Sequence, residues 1–101
     1  MIEKMIESMQ LEQPAAQIQR IQTDHRLKLL QFWEIPKGAK ILEIGCGQGD
    51  TTAALAYTVG NSGYVHGVDI APEDYGAPMT LGEARQKLLA SSIGHYIKMD
   101  F

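Results

Sequence analysis

Three glycines at alternate positions, Gly45, Gly47 and Gly49, form the spacing in this sequence that most clearly carries chemistry. They follow a short apolar run, Ile41 to Ile44, and precede a run of good helix formers, Ala53 to Tyr57. Glycine has no Cβ and accepts positive φ, so a backbone rich in it can turn sharply and lie close to a ligand. A helix starting at such a loop points its free N–H groups back at it. Open α/β sheets bind nucleotide-like ligands at this kind of strand–loop–helix junction. Other polar groups fall beside the loop. Glu43 places a carboxylate near the end of the strand, which is costly without a partner. That partner is either a group of the following loop, a nearby cation, or a ligand's ammonium. Cys46 lies near a helix N-terminus, which can lower a thiol pKa. No catalytic histidine is implied nearby, so it reads as a small loop residue. Asp69 follows Gly49 by 20 residues, the distance at which dinucleotide folds place an acceptor for two ribose hydroxyls. The competing reading of Asp69 is a turn or cap carboxylate.

The loop is not the dinucleotide fingerprint. G-x-G-x-x-G needs a glycine at position 50, which is Asp50, and its carboxylate would repel a pyrophosphate at the helix start. The spacing is G-x-G-x-G after an acidic residue. In this form ILEIGCGQG, residues 41–49, resembles motif I of the class I S-adenosylmethionine-dependent methyltransferases. Val68-Asp69-Ile70 is similar to motif II of that family, and Asp100 stands where its motif III carboxylate would be. The resemblance covers roughly residues 15–101 and implies S-adenosylmethionine as cofactor. It implies that Glu43 and the backbone of Gly45, Cys46, Gly47 and Gly49 hold the amino-acid end. Asp69 would hold the ribose and Ile70 would lie against the adenine. Asp100, with Phe101 beside it, would accept from the adenine amino group. The implied reaction is in-line transfer of the sulfonium methyl to a nucleophile, in which the protein mostly positions groups and excludes water. No catalytic base and no metal ligand is identified.

The elements that position these residues follow from the pattern. Residues 1–14 form an N-terminal amphipathic arm, with Ile2, Met5, Ile6 and Met9 at helical spacing and Pro14 at its end. Its stripe packs on the core or on another chain, or closes over the cofactor site as N-terminal helices do in the resembled family. A second helix spans 15–33, with Ile18, Ile21, His25, Leu29 and Phe32 as its expected buried face, widened by Leu30 and Trp33. His25 reads there as a packed core histidine and Trp33 as an anchor. A Pro36–Gly38 turn leads to the first strand, 40–44, apolar on both faces as in a strand covered on both sides. A helix from Asp50 ends at Gly60, the second strand runs Tyr64 to Ile70, and His66 reads as an ordinary strand residue. Residues 71–79 form a loop long enough to shape a pocket wall. Thr80 to Glu83 is a capping box opening a helix to about Ser92, and His95 to Met99 is the third strand.

The order helix, helix, β, α, β, α, β with right-handed crossovers predicts a parallel Rossmann-like α/β sheet, order 3-2-1. This is the first half only of a doubly wound fold, a cofactor-binding half-domain over 15–101. The acceptor site and the catalytic groups are expected outside this chain, so the chain by itself is expected to be inactive. Its open strand edge and uncovered sheet face predict a homo-oligomer.

Composition sets bounds on partners. The 101 residues carry a net charge of −3 and no Lys/Arg cluster, which argues against nucleic acid or an anionic membrane as partner. That balance leans toward a small-molecule methyl acceptor. One cysteine fits a reducing compartment, and the expected location is cytoplasmic. No apolar run approaches the ~20 residues of a membrane helix. Two rival functions share part of the pattern. An NAD(P)-binding half of an oxidoreductase would use the first strand, the loop and Asp69, but Asp50 speaks against it. A non-catalytic oligomerising module would keep the fold without turnover.

Overall fold

A computed structural model describes residues 15–101 of the chain; the expected amphipathic arm over 1–14 lies outside the described residues. Three helices and three strands follow in order. They are α1 (Ala15–Phe32), β1 (Lys40–Ile44), α2 (Asp50–Val59), β2 (Tyr64–Val68), α3 (Leu81–Leu89) and β3 (Ile97–Asp100). Short 3-10 turns, Gly60–Ser62 and Gly94–Tyr96, lead into β2 and β3. Thr80 caps α3, its hydroxyl accepting from the Glu83 N–H at 3.2 Å.

The sheet is parallel throughout, in the order β1-β2-β3 with β2 in the middle. These are the neighbours that the order 3-2-1 names from the opposite edge. Register sets Ile44 beside Val68 and Val68 beside Asp100, so the strands end together at the tip where the glycine loop begins. All three helices contribute to one core. Leu27 and Leu30 of α1, Ala53, Ala54, Leu55, Ala56 and Val59 of α2, and Leu88 of α3 pack with Val65, Ile97 and Met99 of the sheet. Side chains alternate across a strand, so the opposite face carries the remaining residues. There Leu42 is 62% and Ile44 83% exposed, and nothing among the described residues covers them. The expectation that β1 is covered on both sides is therefore corrected, whereas the uncovered face expected of a first half is present.

Several boundaries and faces differ from the sequence reading. Strand β2 stops at Val68, because Asp69 turns its carboxylate to nearby backbone N–H groups. Helix α3 ends at Leu89, and β3 starts only at Ile97, because residues 94–96 turn in a 3-10 helix. The buried face of α1 is Ala16, Thr23, Leu27 and Leu30; of the expected face only Leu30 is buried, whereas Ile18, Ile21, His25, Leu29 and Phe32 are exposed. Helix α1 has two apolar stripes about half a turn apart. The small side chains of Ala53, Ala54 and Ala56 let the Leu27–Leu30 stripe approach closely. His25 is thus not a core histidine, and Trp33, 60% exposed, is not an anchor.

Candidate functional site

The glycine loop is built as a cradle. Gly45, Gly47 and Gly49 have φ of 82°, 53° and 90°, values that L side chains rarely adopt. A Cβ placed on Gly45 or Gly47 would meet nothing within 4 Å, so both face open space. Gly49 is different: a Cβ there would lie 2.8 Å from Leu88 Cδ2 and 3.2 Å from Met99 Cε. Gly49 therefore lets α2 sit close to α3 and β3, and the other two keep the loop's surface clear. Val68 C=O accepts from the N–H groups of Gly45 at 2.7 Å and Cys46 at 3.0 Å, which ties the loop to the tip of β2.

Asp69 is fixed beside this cradle. Its Oδ2 accepts from the Gly47 N–H at 2.9 Å and its Oδ1 from the Ala71 N–H at 3.0 Å. Those two donors, Ala71 first, hold its carboxyl below the usual carboxylate range. A carboxylate has about four lone-pair positions, so Asp69 keeps acceptor capacity for other donors such as hydroxyls. Ile70 beside it is fully exposed.

Glu43 and Cys46 belong to the loop's underside. The Glu43 Oε1 accepts from the Thr52 hydroxyl of α2, and Thr52 is fully buried. Burial pushes the Glu43 carboxyl up, opposed by the Thr52 hydrogen bond and reinforced by Asp50. The sequence reading offered a loop group, a cation or a ligand; the partner is a helix hydroxyl. Cys46 is buried, and its thiol is pushed up to about 11 by burial, with Glu43 and Asp69 adding to it. A thiol in that state is not a nucleophile at neutral pH. Its Cβ fills the space over Gly67, where an added Cβ would stand 2.8 Å from it. Gly67 interrupts the apolar run of β2 for that reason.

The tip of β3 stands beside Asp69. Asp100 Oδ2 lies 2.7 Å from His66 Nε2, and that hydrogen bond is the main cause lowering its carboxyl below the usual range. His66 is therefore more than the ordinary strand residue expected. Phe101 lies under Arg85, whose guanidinium carbon is 4.9 Å from the ring centroid. The same guanidinium donates to Glu73 Oε1 at 2.7 Å and to the Met99 C=O at 3.4 Å. Arg85 thus ties the loop after β2 to the end of β3.

That loop forms one wall of a cleft of about 680 Å³, lined by Gly47, Gln48, Tyr75, Gly76, Ala77 and Leu81. Gln48 Nε2 donates to the Met79 C=O at 2.8 Å across it. Gly45, Cys46, Gly47, Gly49 and Asp69 are thus brought together. Asp100 and Phe101 stand at the same sheet tip, two strands from the glycine loop and next to Asp69, whose N–H donates to the Asp100 C=O at 3.1 Å. Thr52, Gln48, His66, Tyr75 and Arg85 escaped the sequence reading. Only Thr52 had a visible signal, a hydroxyl one turn into the helix facing a buried acid.

A parallel sheet with a G-x-G-x-G cradle and an acidic acceptor on the next strand defines the class I S-adenosylmethionine-dependent methyltransferase fold. The family model for protein-L-isoaspartate(D-aspartate) O-methyltransferase matches residues 5–80, and the chain belongs to that family. The chain is 49% identical to a cyclopropane-fatty-acyl-phospholipid synthase-like protein from Lactobacillus casei ATCC 334, with a TM-score of 0.91 over 97% of this chain and 36% of that one. It is 40% identical over 67 residues to methyltransferase phomM' of Diaporthe leptostromiformis, covering 61% of this chain and 17% of the relative. It is 44% identical over 46 residues to the demethylmenaquinone methyltransferase of Bacillus licheniformis, covering 46% of this chain and 20% of that protein. The chain thus spans about a fifth of the length of these two relatives. Among the described residues, no helix is long and apolar enough to cross a membrane.

Proposed function

We propose that this chain binds S-adenosylmethionine and forms the cofactor-holding part of a methyltransferase that acts on a small molecule. The observation that carries this reading is the cradle itself. Gly45 and Gly47 face open space, and the Asp69 carboxylate is pinned beside them with acceptor capacity to spare. These residues fit the cofactor. The loop backbone would receive its amino-acid end, Asp69 its ribose hydroxyls, and Ile70 with Phe101 the faces of its adenine. Asp100 would accept from the adenine amino group while His66 holds its carboxylate. Glu43, already bonded to Thr52, would act on the ammonium through a remaining lone pair.

When bound, S-adenosylmethionine supplies a methyl on a sulfonium, a group already activated for transfer. The chain's own residues then bind, orient and exclude water. A small-molecule acceptor is supported by the acidic balance of the chain and by the demethylmenaquinone methyltransferases among its relatives. Self-association through the uncovered sheet face belongs to the same proposal, as does a cytoplasmic location.

Calorimetric titration of the chain with S-adenosylhomocysteine and with NAD tests the reading. It expects saturable binding of the first and none of the second. Tighter binding of NAD would replace it with a dinucleotide site.

A further inference from the structure

The two ends of α2 face different surroundings. Its first residue, Asp50, follows the glycine loop; its last, Val59, lies about 14 Å further on by the rise of an α-helix. At that far end a cavity of about 310 Å³ opens. It sits where the strands begin, since Lys37 stands just before β1, Ser62 before β2 and Tyr96 before β3.

The lining has an apolar part and a polar part. Tyr57, Ile93 and Tyr96 form a wall. Ile93 is buried, and both tyrosines pack partly buried against the core. The His95 ring meets that of Tyr96 at 64°, with centroids 4.0 Å apart, which holds the wall in place. Opposite chemistry comes from Lys37. Its side chain lies across Gly60, where an added Cβ would stand 3.9 Å from Cδ and 3.8 Å from Nζ. Among the described residues, no carboxylate lines the cavity and none pairs with the Lys37 ammonium. The hydroxyls of Tyr57, Ser62, Ser92 and Tyr96 likewise have no hydrogen-bond partner there.

We propose that this cavity binds a small aromatic carboxylic acid, its carboxylate on Lys37 and its ring against Tyr57, Ile93 and Tyr96. A lone ammonium among neutral hydroxyls calls for an anion, and a carboxylate accepts from both kinds of donor. The C-terminal end of α2 carries partial negative charge, so a compact dianion such as phosphate meets repulsion there. A neutral ring does not, and tyrosine walls favour it through offset or edge contacts. The volume stands at the lower end of ligand cavities, roughly 300–1,000 Å³, which suits a single substituted ring. The distance from the glycine loop separates this site from methyl transfer, so the assignment does not rest on the cofactor reading.

The probes are benzoate, benzamide and inorganic phosphate, followed by amide shifts of the 15N-labelled 101-residue chain. Benzoate at millimolar concentration should shift Gly60, Asn61, Ser62 and Ile93, and leave Gly45 and Gly47 unmoved. Benzamide keeps the shape and lacks the charge, whereas phosphate lacks the ring; both should bind more weakly. Lys37→Gln should weaken benzoate about 2- to 5-fold, the range of an exposed ion pair, and leave benzamide unchanged. Ser92→Trp, at an exposed position, should fill the cavity and abolish the benzoate shifts while the chain stays folded. Excess S-adenosylhomocysteine should leave benzoate affinity unchanged. No benzoate shifts, or shifts on the glycine loop alone, would overturn the assignment. So would benzamide or phosphate binding as tightly as benzoate, or a Lys37→Gln chain that binds benzoate like wild type. Competition between benzoate and S-adenosylhomocysteine would overturn it and leave the cofactor reading standing.

Discussion

Replacing Gly47 by alanine separates the loop's role in binding from its role in folding. Gly47 has φ of 53°, and the left-handed region costs an L-residue about 1–2 kcal/mol. No atom lies within 4 Å of the added Cβ, so no clash adds to that cost. For a domain of this size, each kcal/mol corresponds to roughly 4–8 °C in Tm. The Gly47→Ala chain should thus remain folded at room temperature. Its methyl, however, projects into the space assigned to the ligand, and S-adenosylhomocysteine affinity should fall further than stability does. Gly49→Ala is the control. It shares the strained φ, and its Cβ would come within 2.8 Å of Leu88 Cδ2. Overpacking adds about 1–3 kcal/mol, so this variant should lose more stability than Gly47→Ala. Thermal unfolding by circular dichroism and calorimetric titration measure the two effects. A Gly47→Ala chain that binds S-adenosylhomocysteine like wild type, or that unfolds before the Gly49→Ala chain, would refute the reasoning.

Other perturbations test neighbouring groups. Asp69→Ala should weaken S-adenosylhomocysteine about 10- to 150-fold through lost charge-assisted bonds to the ribose; unchanged affinity would make Asp69 a turn carboxylate only. Glu43 is held above its ordinary value of 4.5, so the native chain binds that proton more tightly than the unfolded chain. The stability this contributes is full below about 4.5 and is lost as pH rises through the raised folded value. Glu43→Gln should therefore gain on wild type in urea midpoint as pH rises from 4 to 8; a constant deficit across that range would contradict the assignment. Full burial of Leu42 and Ile44 would contribute about 1.5–3 kcal/mol each, against a total stability of roughly 5–15 kcal/mol. The chain should therefore self-associate through this face, and Leu42→Lys with Ile44→Lys should abolish the association. Sedimentation equilibrium decides, and an 11.1 kDa wild-type monomer at low micromolar concentration would contradict it.

What was legible in the sequence was local. The strand, loop and helix around Gly45 to Gly49 announced themselves because glycine spacing, apolar runs and a cap are all short-range signals. The position of Asp69 beside the loop was legible because its distance along the chain from Gly49 reflects one crossover. The face of α1 was not legible. Its two apolar stripes are equivalent by periodicity, and the choice between them depends on the alanines of α2, more than 20 residues later. The partner of Glu43 was half visible, since Thr52 is close in sequence but is aimed by the turn at Gly49. His66 with Asp100 and Arg85 with Glu73 and Phe101 were not visible at all. Those contacts join residues 34, 12 and 16 positions apart, and only strand register and the path of the loop after β2 bring them together.

The central claim is that the cofactor lies on the glycine loop at the tips of the strands. Titrating the 15N-labelled chain with S-adenosylhomocysteine and following amide shifts tests it directly. The largest changes should fall on Gly47 and Ala71, whose N–H groups hold Asp69, and on Gly45 and Phe101. Another cavity, the one of about 310 Å³ lined by Lys37, Tyr57, Ser62, Ser92 and Tyr96 among others, opens elsewhere on the surface. Those amides should stay still. Shifts confined to that cavity, with Gly45, Gly47 and Ala71 unmoved, would contradict the account.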